Sequence, residues 1–552
     1  MRSIDRRRIL AVVIAASIPA LAVSCGPSGE RPVPEAAFAL EEATIAGLQE
    51  MMASGRTTAE KLVSLYLGRI DRIDQRGPGL NAVIQKNPDA RRIARELDRE
   101  RREKGPRGPL HGIPVLIKDN IDTADAMETT AGSLALLGSK PAKDASVVER
   151  LREAGAVIIG KANLSEWANF RSTRSTSGWS GRGGQTHNPY ALDRNPSGSS
   201  SGTAVAVSAN LVTVGVGTET DGSIVSPSSC CGIVGIKPTV GLVSRSGIVP
   251  IAHSQDTAGP MARTVSDAAT LLGAMTGADP ADPATQAAGV RVFKDYREFL
   301  SPGGLKGARI GVLRAKAFNF ESRLDPILQN AIEALKREGA EVVDPVEFPT
   351  LGKTDEAEFE VLLYEFKADL GAYLAARPGS AVKTLEDLAA FDTKNAGREM
   401  PFFGQEIVEQ AAKKGPLTDK AYLEALAKCR ELMRDKGIDA VLAGHKLDAL
   451  IALTNGPAHL TDLVNGDSFS GSSSSPAAVA GYPTITLPAG YVFGLPVGVS
   501  LIGRAWSEPE LIRLAFGLEQ ALGMRRVPRL LATAELPPTG PSGGVAEAGR
   551  VR

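Results

Sequence analysis

Stretches with helical periodicity alternate with short apolar runs along most of this 552-residue chain. Residues 59–73 repeat apolar side chains at helical spacing behind Thr57 and Thr58, either of which can cap a helix, whereas residues 157–159 form a short apolar run typical of a buried strand. This alternation predicts an α/β fold, in which a central mixed, mostly parallel twisted sheet is covered by helices on both faces. Residues 355–435 are mainly helical in periodicity, and we expect a helical insertion there.

Charge and composition exclude several classes of protein. The 63 basic residues balance the 63 acidic residues, which argues against a nucleic-acid partner, and a hydrophobic content of 43% excludes disorder over most of the chain. Four cysteines are too few for a disulfide scaffold. Neither the cysteines nor the five histidines have the spacing of zinc ligands, so we expect no metal.

The first 24 residues are typical of an export signal. Arg6, Arg7 and Arg8 precede an apolar run, residues 9–23, which is shorter than the about 20 residues that span a bilayer comfortably. The arginines also fit a twin-arginine signal, which exports cargo that has already folded. We therefore expect an exported protein, either free in the periplasm or anchored on the outer side of the cytoplasmic membrane.

Two processing patterns overlap at the end of this signal. Residues 20–22 form an A-x-A cleavage site, and cleavage there would release the protein. Residues 22–25 resemble a lipoprotein box instead, which would place a lipid anchor on Cys25. Both alternatives stay open on the sequence alone.

Three segments are expected after the signal. In residues 25–40, Gly, Pro and Ser follow directly after Cys25, as in a flexible tether. Residues 41–525 carry the predicted helices and strands and should form one large domain. Residues 526–552 end in sequence rich in Pro, Gly and Ala, and we expect a C-terminal tail.

A Ser- and Gly-rich stretch, residues 195–202, lies inside apolar sequence. Such a composition is often that of a flexible linker, but a linker within a domain would bury backbone polar groups without partners. The stretch also satisfies G-x-S-x-G, which in an α/β-hydrolase elbow would make Ser200 the nucleophile. An elbow needs a strand directly before it, and the residues that precede this stretch are polar and interrupted by proline.

Small and polar residues follow a second apolar run. Residues 211–216 have the pattern of a strand, and residues 217–224 continue it with Gly, Thr, Glu, Asp and Ser. A strand that opens into such a turn can bring several backbone N–H groups to one point, as an oxyanion hole requires. Ser223 lies near the end of the turn, in a position suited to attack a carbonyl carbon.

Lys118 ends a third apolar run, Val115-Leu116-Ile117. Most lysines lie on the surface, but a lysine directly after such a run is expected to be half buried. Burial lowers the pKa of an ammonium group, because the charged form loses its hydration.

Together these three pieces resemble the amidase signature family of serine hydrolases. The resemblance spans residues 40–523 and includes residues 155–166 and 481–490. Within the family, residues 167–171 and the Thr-Glu-Thr-Asp-Gly-Ser form of the turn are most similar to bacterial peptide amidases.

The resemblance implies a Ser-Ser-Lys triad. Ser223 corresponds to the acylated serine, Ser199 to a bridging serine that follows a cis peptide bond, and Lys118 to the base. No cofactor is implied. The oxyanion donors correspond to the backbone N–H groups of Thr220, Asp221, Gly222 and Ser223. Two positions depart from the common family pattern, because Ser197 and Asp221 stand where many members have glycine.

The sequence therefore predicts an exported amidase that hydrolyses a carboxamide to a carboxylate and ammonia, most plausibly the C-terminal amide of a peptide. One alternative is a broad hydrolase of small or aryl amides, and another is a relative of the A subunit of tRNA-dependent amidotransferases. A solute-binding lipoprotein is the non-enzyme alternative, indicated only by the signal and the tether. The predicted partner is a small-molecule or peptide amide, and the sequence gives no oligomeric state.

Overall fold

The structure, a computed structural model, describes four parts of the chain: residues 38–287, 289–314, 318 and 320–537. The predicted signal peptide, Cys25 and most of the predicted tether lie outside these residues. The chain divides into two units, residues 1–41 and 42–552. The described part of the first unit is a turn, in which the N–H of Glu41 donates to the carbonyl of Phe38.

Within the described residues, the second unit is organised around an eleven-stranded sheet, and one further pair of short strands lies apart from it. The strands are β1 Val83–Lys86, β2 Pro114–Lys118, β3 Val157–Ala162, β4 Trp179–Ser180, β5 Gly184–Gln185, β6 Val214–Glu219, β7 Val234–Lys237, β8 Thr257–Ala262, β9 Arg309–Val312, β10 Glu341–Val343, β11 Ala449–Leu453, β12 Thr484–Val492 and β13 Leu495–Ile502.

The sheet is mixed, as the sequence predicts, but it is not mostly parallel. Its order is β1-β3-β2-β6-β8-β7-β12-β13-β11-β9-β10. The pairs β3–β2, β2–β6, β11–β9 and β9–β10 are parallel, and the other neighbouring pairs are antiparallel. The expectation of a mostly parallel sheet was wrong, because it assumed that a helix joins each strand to the next. Instead, β12 and β13 form a hairpin closed by Phe493 and Gly494, both at positive φ, and a long loop without a helix joins β7 to β8.

Helices cover both faces of this sheet. The residues of β2, β3, β6, β7, β8, β11 and β13 are all buried, and a strand buried throughout needs cover on each side. Among the described residues, no helix is both long and apolar enough to cross a membrane. The α-helices are α1 Ile45–Ala53, α2 Ala59–Arg69, α3 Ala90–Lys104, α4 Ser146–Glu153, α5 Ser201–Ser208, α6 Val225–Cys230, α7 Val265–Met275, α8 Asp325–Arg337, α9 Asp355–Ala376, α10 Leu385–Lys394, α11 Ala396–Glu399, α12 Glu406–Ala412, α13 Lys420–Arg430, α14 Asp439–Gly444, α15 Ser475–Ala480 and α16 Glu508–Leu522.

Two elements illustrate how closely the local sequence signals hold. The helix predicted over residues 59–73 is α2, and Thr58 caps it by accepting a hydrogen bond from the N–H of Lys61 at 3.1 Å. The strand predicted over residues 211–216 is β6, which begins three residues later and continues to Glu219. The shift brings the end of β6 directly to Thr220, the first residue of the predicted oxyanion turn.

The stretch predicted to be a helical insertion is helical. Helices α9 to α13 and a π-helix, Glu431–Ile438, lie between β10 and β11. Apolar residues of α9, α10 and α12 share one buried cluster with Trp167, Phe170, Val249 and Ile251. The insertion therefore packs directly on the two loops that carry these four residues.

The C-terminal boundary needs one correction. The N–H of Leu530 donates to the carbonyl of Pro189 at 3.0 Å, and the N–H of Glu535 donates to the carbonyl of Phe493 at 2.9 Å. These backbone hydrogen bonds extend the folded body beyond residue 525, where the sequence predicts a tail. Residues 538–552 of that tail lie outside the described residues.

Candidate active site

Strand β2 carries Lys118 into the buried centre of the sheet. It runs parallel between β3 and β6, so Lys118 at its carboxyl end lies beside the turn that follows β6. The Lys118 side chain is fully buried. Its Nζ lies 2.7 Å from Ser199 Oγ and 2.9 Å from Thr218 Oγ1. Nζ also donates to the carbonyl of Thr218 at 3.3 Å, so the side chain predicted to be half buried is fully enclosed, with two hydroxyls and one carbonyl around its amine.

Burial lowers the pKa of Lys118 from 10.5 to about 7, against the opposing effect of the negative charges of Asp256 and Glu219. A large fraction of the lysine is then neutral at pH 7. The charged amine donates to Ser199 Oγ at 2.7 Å, whereas the neutral amine has a lone pair that can accept the hydrogen of the Ser199 hydroxyl. The predicted lowering of the pKa is confirmed, and the arrangement can transfer a proton between the two groups.

The Ser- and Gly-rich stretch forms a tightly packed turn. The peptide bond between Gly198 and Ser199 is cis, as the family resemblance implies. The carbonyl of Ser199 accepts a hydrogen bond from the N–H of Ser165 at 3.1 Å. Gly198 has no room for a side chain, since a Cβ would lie 2.3 Å from Ser165 Oγ. The stretch is buried and ordered by these contacts, so the flexible-linker alternative is wrong.

Glu219 closes the turn between β6 and α6. Its Oε2 accepts hydrogen bonds from the N–H groups of Ile224 at 2.7 Å and Val225 at 3.0 Å. Gly222 has a φ of +79°, a conformation that suits glycine. Within the described part of the chain, the backbone N–H groups of residues 220–223 have no hydrogen-bond acceptor. Four adjacent free donors in one turn are what an oxyanion hole requires.

The serines of the site differ in access and in partners. Ser223 is 8% exposed, whereas Ser199 and Ser200 are 0% exposed. The Ser200 hydroxyl donates to the carbonyl of Thr218 at 3.0 Å and accepts from the N–H of Thr218 at 3.2 Å. The residues between β5 and Ser200 form no named strand. The geometry therefore contradicts the hydrolase-elbow alternative, because Ser200 is enclosed and no strand leads into it.

A cavity of about 450 Å³ opens beside this group of residues. Asn120 and Thr218 line it on the side of Lys118, and Asn120 Nδ2 donates to Thr218 Oγ1 at 3.0 Å. Thr220 and Asp256 line a further part of the wall, and Ala168 lines it from the loop after β3. A cavity of this size is sufficient for a small ligand or for part of a peptide.

Three polar residues that no sequence motif singles out complete the site. Thr218 and Asn120 contact each other beside Lys118, and each lies within two residues of a predicted site residue. Asp256 is far away in sequence and has no local signal, yet its Oδ1 accepts a hydrogen bond from Thr220 Oγ1 at 2.6 Å. Burial raises the pKa of Asp256 to about 6, although hydrogen bonds from Thr220 and two backbone groups lower it.

One group of side chains outside the predicted site has the donor atoms of a metal site. Within the described residues, the ligand atoms of His253, Glu365 and Asp369 lie within 4.8 Å of one another. Protein groups already satisfy them, since His253 Nδ1 lies 2.8 Å from Asp369 Oδ2 and Glu365 accepts a hydrogen bond from the Tyr422 hydroxyl at 2.8 Å. The contacts describe an ion-pair cluster that needs no cation.

Known proteins show which family the chain belongs to. The amidase family model matches residues 61–512. The chain belongs to the amidase family. The crystal structure of a peptide amidase from Stenotrophomonas maltophilia is 52% identical in sequence, with a TM-score of 0.86, and the match covers 90% of this chain and 100% of that one. The mixed sheet flanked by helices is thus the fold of this family.

Curated relatives support the same family but differ in the reactions their names state. A probable amidase from Arabidopsis thaliana is 46% identical over 504 residues, which cover 90% of this chain and 93% of that protein. The A subunit of glutamyl-tRNA(Gln) amidotransferase from a Synechococcus species is 33% identical over 504 residues, with coverage of 87% and 96%. The family and these relatives support an amide-hydrolysing enzyme, which removes the solute-binding lipoprotein alternative.

The lowered pKa of Lys118 predicts how activity depends on pH. The neutral amine is the form that accepts a proton, so kcat/KM for an amide should rise with pH and reach half of its plateau near pH 7. Asp256→Asn should move this midpoint to lower pH, since the negative charge of Asp256 raises the pKa of Lys118. Steady-state rates between pH 5 and 9, about two units on each side of the midpoint, provide the measurement. A flat profile would contradict a lysine base.

Proposed function

We propose that this protein is an exported amidase that hydrolyses the C-terminal carboxamide of peptides, with a triad of Ser223, Ser199 and Lys118. The 2.7 Å contact between Lys118 Nζ and Ser199 Oγ carries the proposal, because it joins a lysine with a pKa of about 7 to a buried hydroxyl. The 52% identity to a peptide amidase supports the substrate class.

In the first step, Ser223 Oγ attacks the carbonyl carbon of the amide. A serine hydroxyl is a weak nucleophile, so its proton must leave as the new C–O bond forms. The proton moves to Ser199 Oγ while the proton of Ser199 moves to neutral Lys118 Nζ. The carbonyl oxygen becomes negatively charged and accepts hydrogen bonds from the free N–H groups of residues 220–223.

In the second step, the C–N bond breaks and the leaving nitrogen takes a proton back through Ser199 from Lys118. Ammonia departs, and the acyl group stays on Ser223 as an ester. A water molecule then attacks this ester, and its proton follows the same route to Lys118. When the bond to Ser223 Oγ breaks, the proton returns to that oxygen, and the carboxylic acid leaves and releases its proton to water, which gives the carboxylate. Every proton transfer within the site uses groups of this chain, and no cofactor enters the reaction.

The principal rival activities differ in the amide that is cleaved. A glutamyl-tRNA amidotransferase subunit acts with a polyanionic tRNA, whereas the 63 basic and 63 acidic residues of this chain give no excess positive charge to attract one. Export would also separate the protein from tRNA charging. A broad hydrolase of small or aryl amides remains the second candidate, because the cavity of about 450 Å³ would accept such substrates as well.

The triad predicts a graded set of losses on substitution. Ser223→Ala should abolish turnover and covalent labelling by a fluorophosphonate, because the attacking oxygen is gone. Ser199→Ala and Lys118→Ala should each lower kcat by several orders of magnitude, since both belong to one proton relay. Ser200→Ala is the matched control in the same turn and should still be labelled. An inactive Ser200→Ala beside an active Ser223→Ala would transfer the nucleophile to Ser200.

The substrate class predicts which bond is cleaved. One peptide should be incubated with the enzyme in its amidated form and in its free-acid form, and both followed by mass spectrometry. The amidated form should gain about one mass unit as the terminal NH₂ becomes OH, and the free acid should stay intact. Internal cleavage of either form would reject the assignment. If the enzyme turns over small aliphatic or aryl amides but no amidated peptide, the broad hydrolase would be favoured.

Export rests on the sequence of the first 25 residues and predicts where the protein is found. Replacing Arg6 and Arg7 with lysine should keep the precursor in the cytoplasm if the twin-arginine route is used. Cys25→Ala should release the protein from membranes if that cysteine carries a lipid. Cell fractionation followed by N-terminal sequencing measures both effects. A wild-type protein that starts at Val23 in the soluble periplasmic fraction would show cleavage after Ala22 and no lipid.

A further inference from the structure

One peptide group in the candidate oxyanion turn is fixed from its far side. The carbonyl of Thr220 and the N–H of Asp221 belong to the same planar peptide unit, and in a trans peptide these two groups point in opposite directions. Whatever holds the Thr220 carbonyl therefore also aims the Asp221 N–H. This N–H is among the four that have no acceptor within the described residues.

Gln255 holds that carbonyl. It is 2% exposed and lies just before β8, and its Nε2 donates one hydrogen to the Thr220 carbonyl at 3.3 Å. The second hydrogen of the same amide goes to Glu358 Oε1 at 2.9 Å. Glu358 comes from α9, in the helical insertion, and is itself buried. A chain of two hydrogen bonds thus runs from the insertion to the turn.

Glu358 also interacts with the side chain of Asp221, whose backbone N–H is the one oriented by the Thr220 carbonyl. Burial and the neighbouring Asp221 carboxyl group raise the pKa of Glu358 well above its usual range. A protonated Glu358 can accept from Gln255 with one oxygen and donate its proton to Asp221 with the other. The second oxygen of Asp221 accepts a hydrogen bond from Ser475 Oγ at 2.6 Å. The other oxygen, Oδ1, is buried and has no other hydrogen-bond partner among the described residues, so a proton on Glu358 would satisfy it.

We propose that Gln255 and Glu358 are positioning residues for the oxyanion turn, and that they hold the Asp221 N–H toward the substrate by binding the opposite side of its peptide group. This inference rests on the proposed role of residues 220–223. Neither residue donates to the reacting oxygen. Their effect passes through the orientation of one peptide plane, so they should matter for the transition state and little for binding of the intact amide.

The surroundings of Glu358 are consistent with a neutral carboxyl group. Asp221 faces it from the turn, and Asp355 adds a further negative charge from its own helix. Cys429 approaches it from α13, and burial raises the pKa of this thiol to about 12, with Glu358 adding to the effect.

Four single variants separate positioning from simple packing. Gln255→Leu removes the hydrogen bond to the Thr220 carbonyl with little change in side-chain volume. Glu358→Ala removes the carboxyl group that binds the Gln255 amide. Glu358→Gln restores a neutral side chain that can both accept from Gln255 and donate to Asp221. Glu356→Ala, at an exposed position of the same helix, is the matched control. Thermal melting of each variant shows whether it is folded.

For Gln255→Leu and Glu358→Ala we expect kcat on an amidated peptide to fall by about 100-fold, a typical loss for a misplaced catalytic group, with KM little changed. Affinity for a peptide aldehyde, whose adduct with Ser223 places an oxyanion in the turn, should fall in parallel, while affinity for the free-acid product should not. Glu358→Gln and Glu356→Ala should behave like the wild type. The double variant Gln255→Leu/Glu358→Ala should lose no more than either single variant, because both act through one chain.

Amide hydrogen exchange of residues 218–226 tests the same idea without any substrate. Exchange there should be faster in Gln255→Leu and Glu358→Ala and unchanged in Glu358→Gln and Glu356→Ala. Wild-type exchange and wild-type kcat in Gln255→Leu, or a Glu358→Gln variant as impaired as Glu358→Ala, would overturn the inference. A wild-type enzyme that cleaves no amide would instead reject the proposed function, and the exchange result would still decide whether Gln255 and Glu358 order the turn.

Discussion

The site depends on burying a lysine at the end of a central strand without pairing its charge. β2 lies between two parallel neighbours, and this position removes water from Lys118 on every side. Removing hydration from an ammonium is costly, so the lysine responds by releasing its proton near pH 7. Because β2 and β6 run in the same direction, the neutral amine and the turn after β6 meet at one edge of the sheet. Ser199 contacts the amine from the turn before α5, and the N–H of the next residue, Ser200, donates to the carbonyl of Ser223 at 3.1 Å.

Burial alone does not make a lysine a base, as two other lysines of the sheet show. Lys161 is the last residue but one of β3, and Lys237 is the last residue of β7. Burial lowers the pKa of each to about 8, although nearby carboxyl groups raise it. Lys237 donates to two main-chain carbonyls, and Lys161 donates to one carbonyl and one threonine hydroxyl. Lys118 also donates to a main-chain carbonyl, that of Thr218 at 3.3 Å, and it contacts the hydroxyls of Ser199 and Thr218. The serine among these partners distinguishes Lys118 from the other two lysines, because in the proposed triad the Ser199 hydroxyl passes a proton between Lys118 and Ser223.

Local sequence predicted the parts of the fold that depend on neighbouring residues. The helix α2, the apolar run of β2 that ends at Lys118 and the helical character of residues 355–435 all follow from periodicity or caps. Local sequence did not predict the direction in which neighbouring strands run. The paths of long loops, such as the one between β7 and β8, decide that direction. Likewise the residues of the proposed triad carry a motif, whereas Asp256, Gln255 and Glu358 reach the site only through tertiary packing and have no spacing signal.

Asp221 belongs to the sequence motif of the turn, and it also interacts with residues that only tertiary packing brings near it. A negative side chain beside donors that stabilise a negative oxygen would oppose catalysis if it faced the same side. In this structure the Asp221 carboxyl group accepts a hydrogen bond from Ser475 Oγ and lies near Glu358, whose pKa is raised well above its usual range by burial and by Asp221. The Asp221 side chain thereby links the turn to α15 and to the insertion. A glycine at this position would expose the same N–H but would leave the turn without that attachment, so the helical insertion and the aspartate depend on each other.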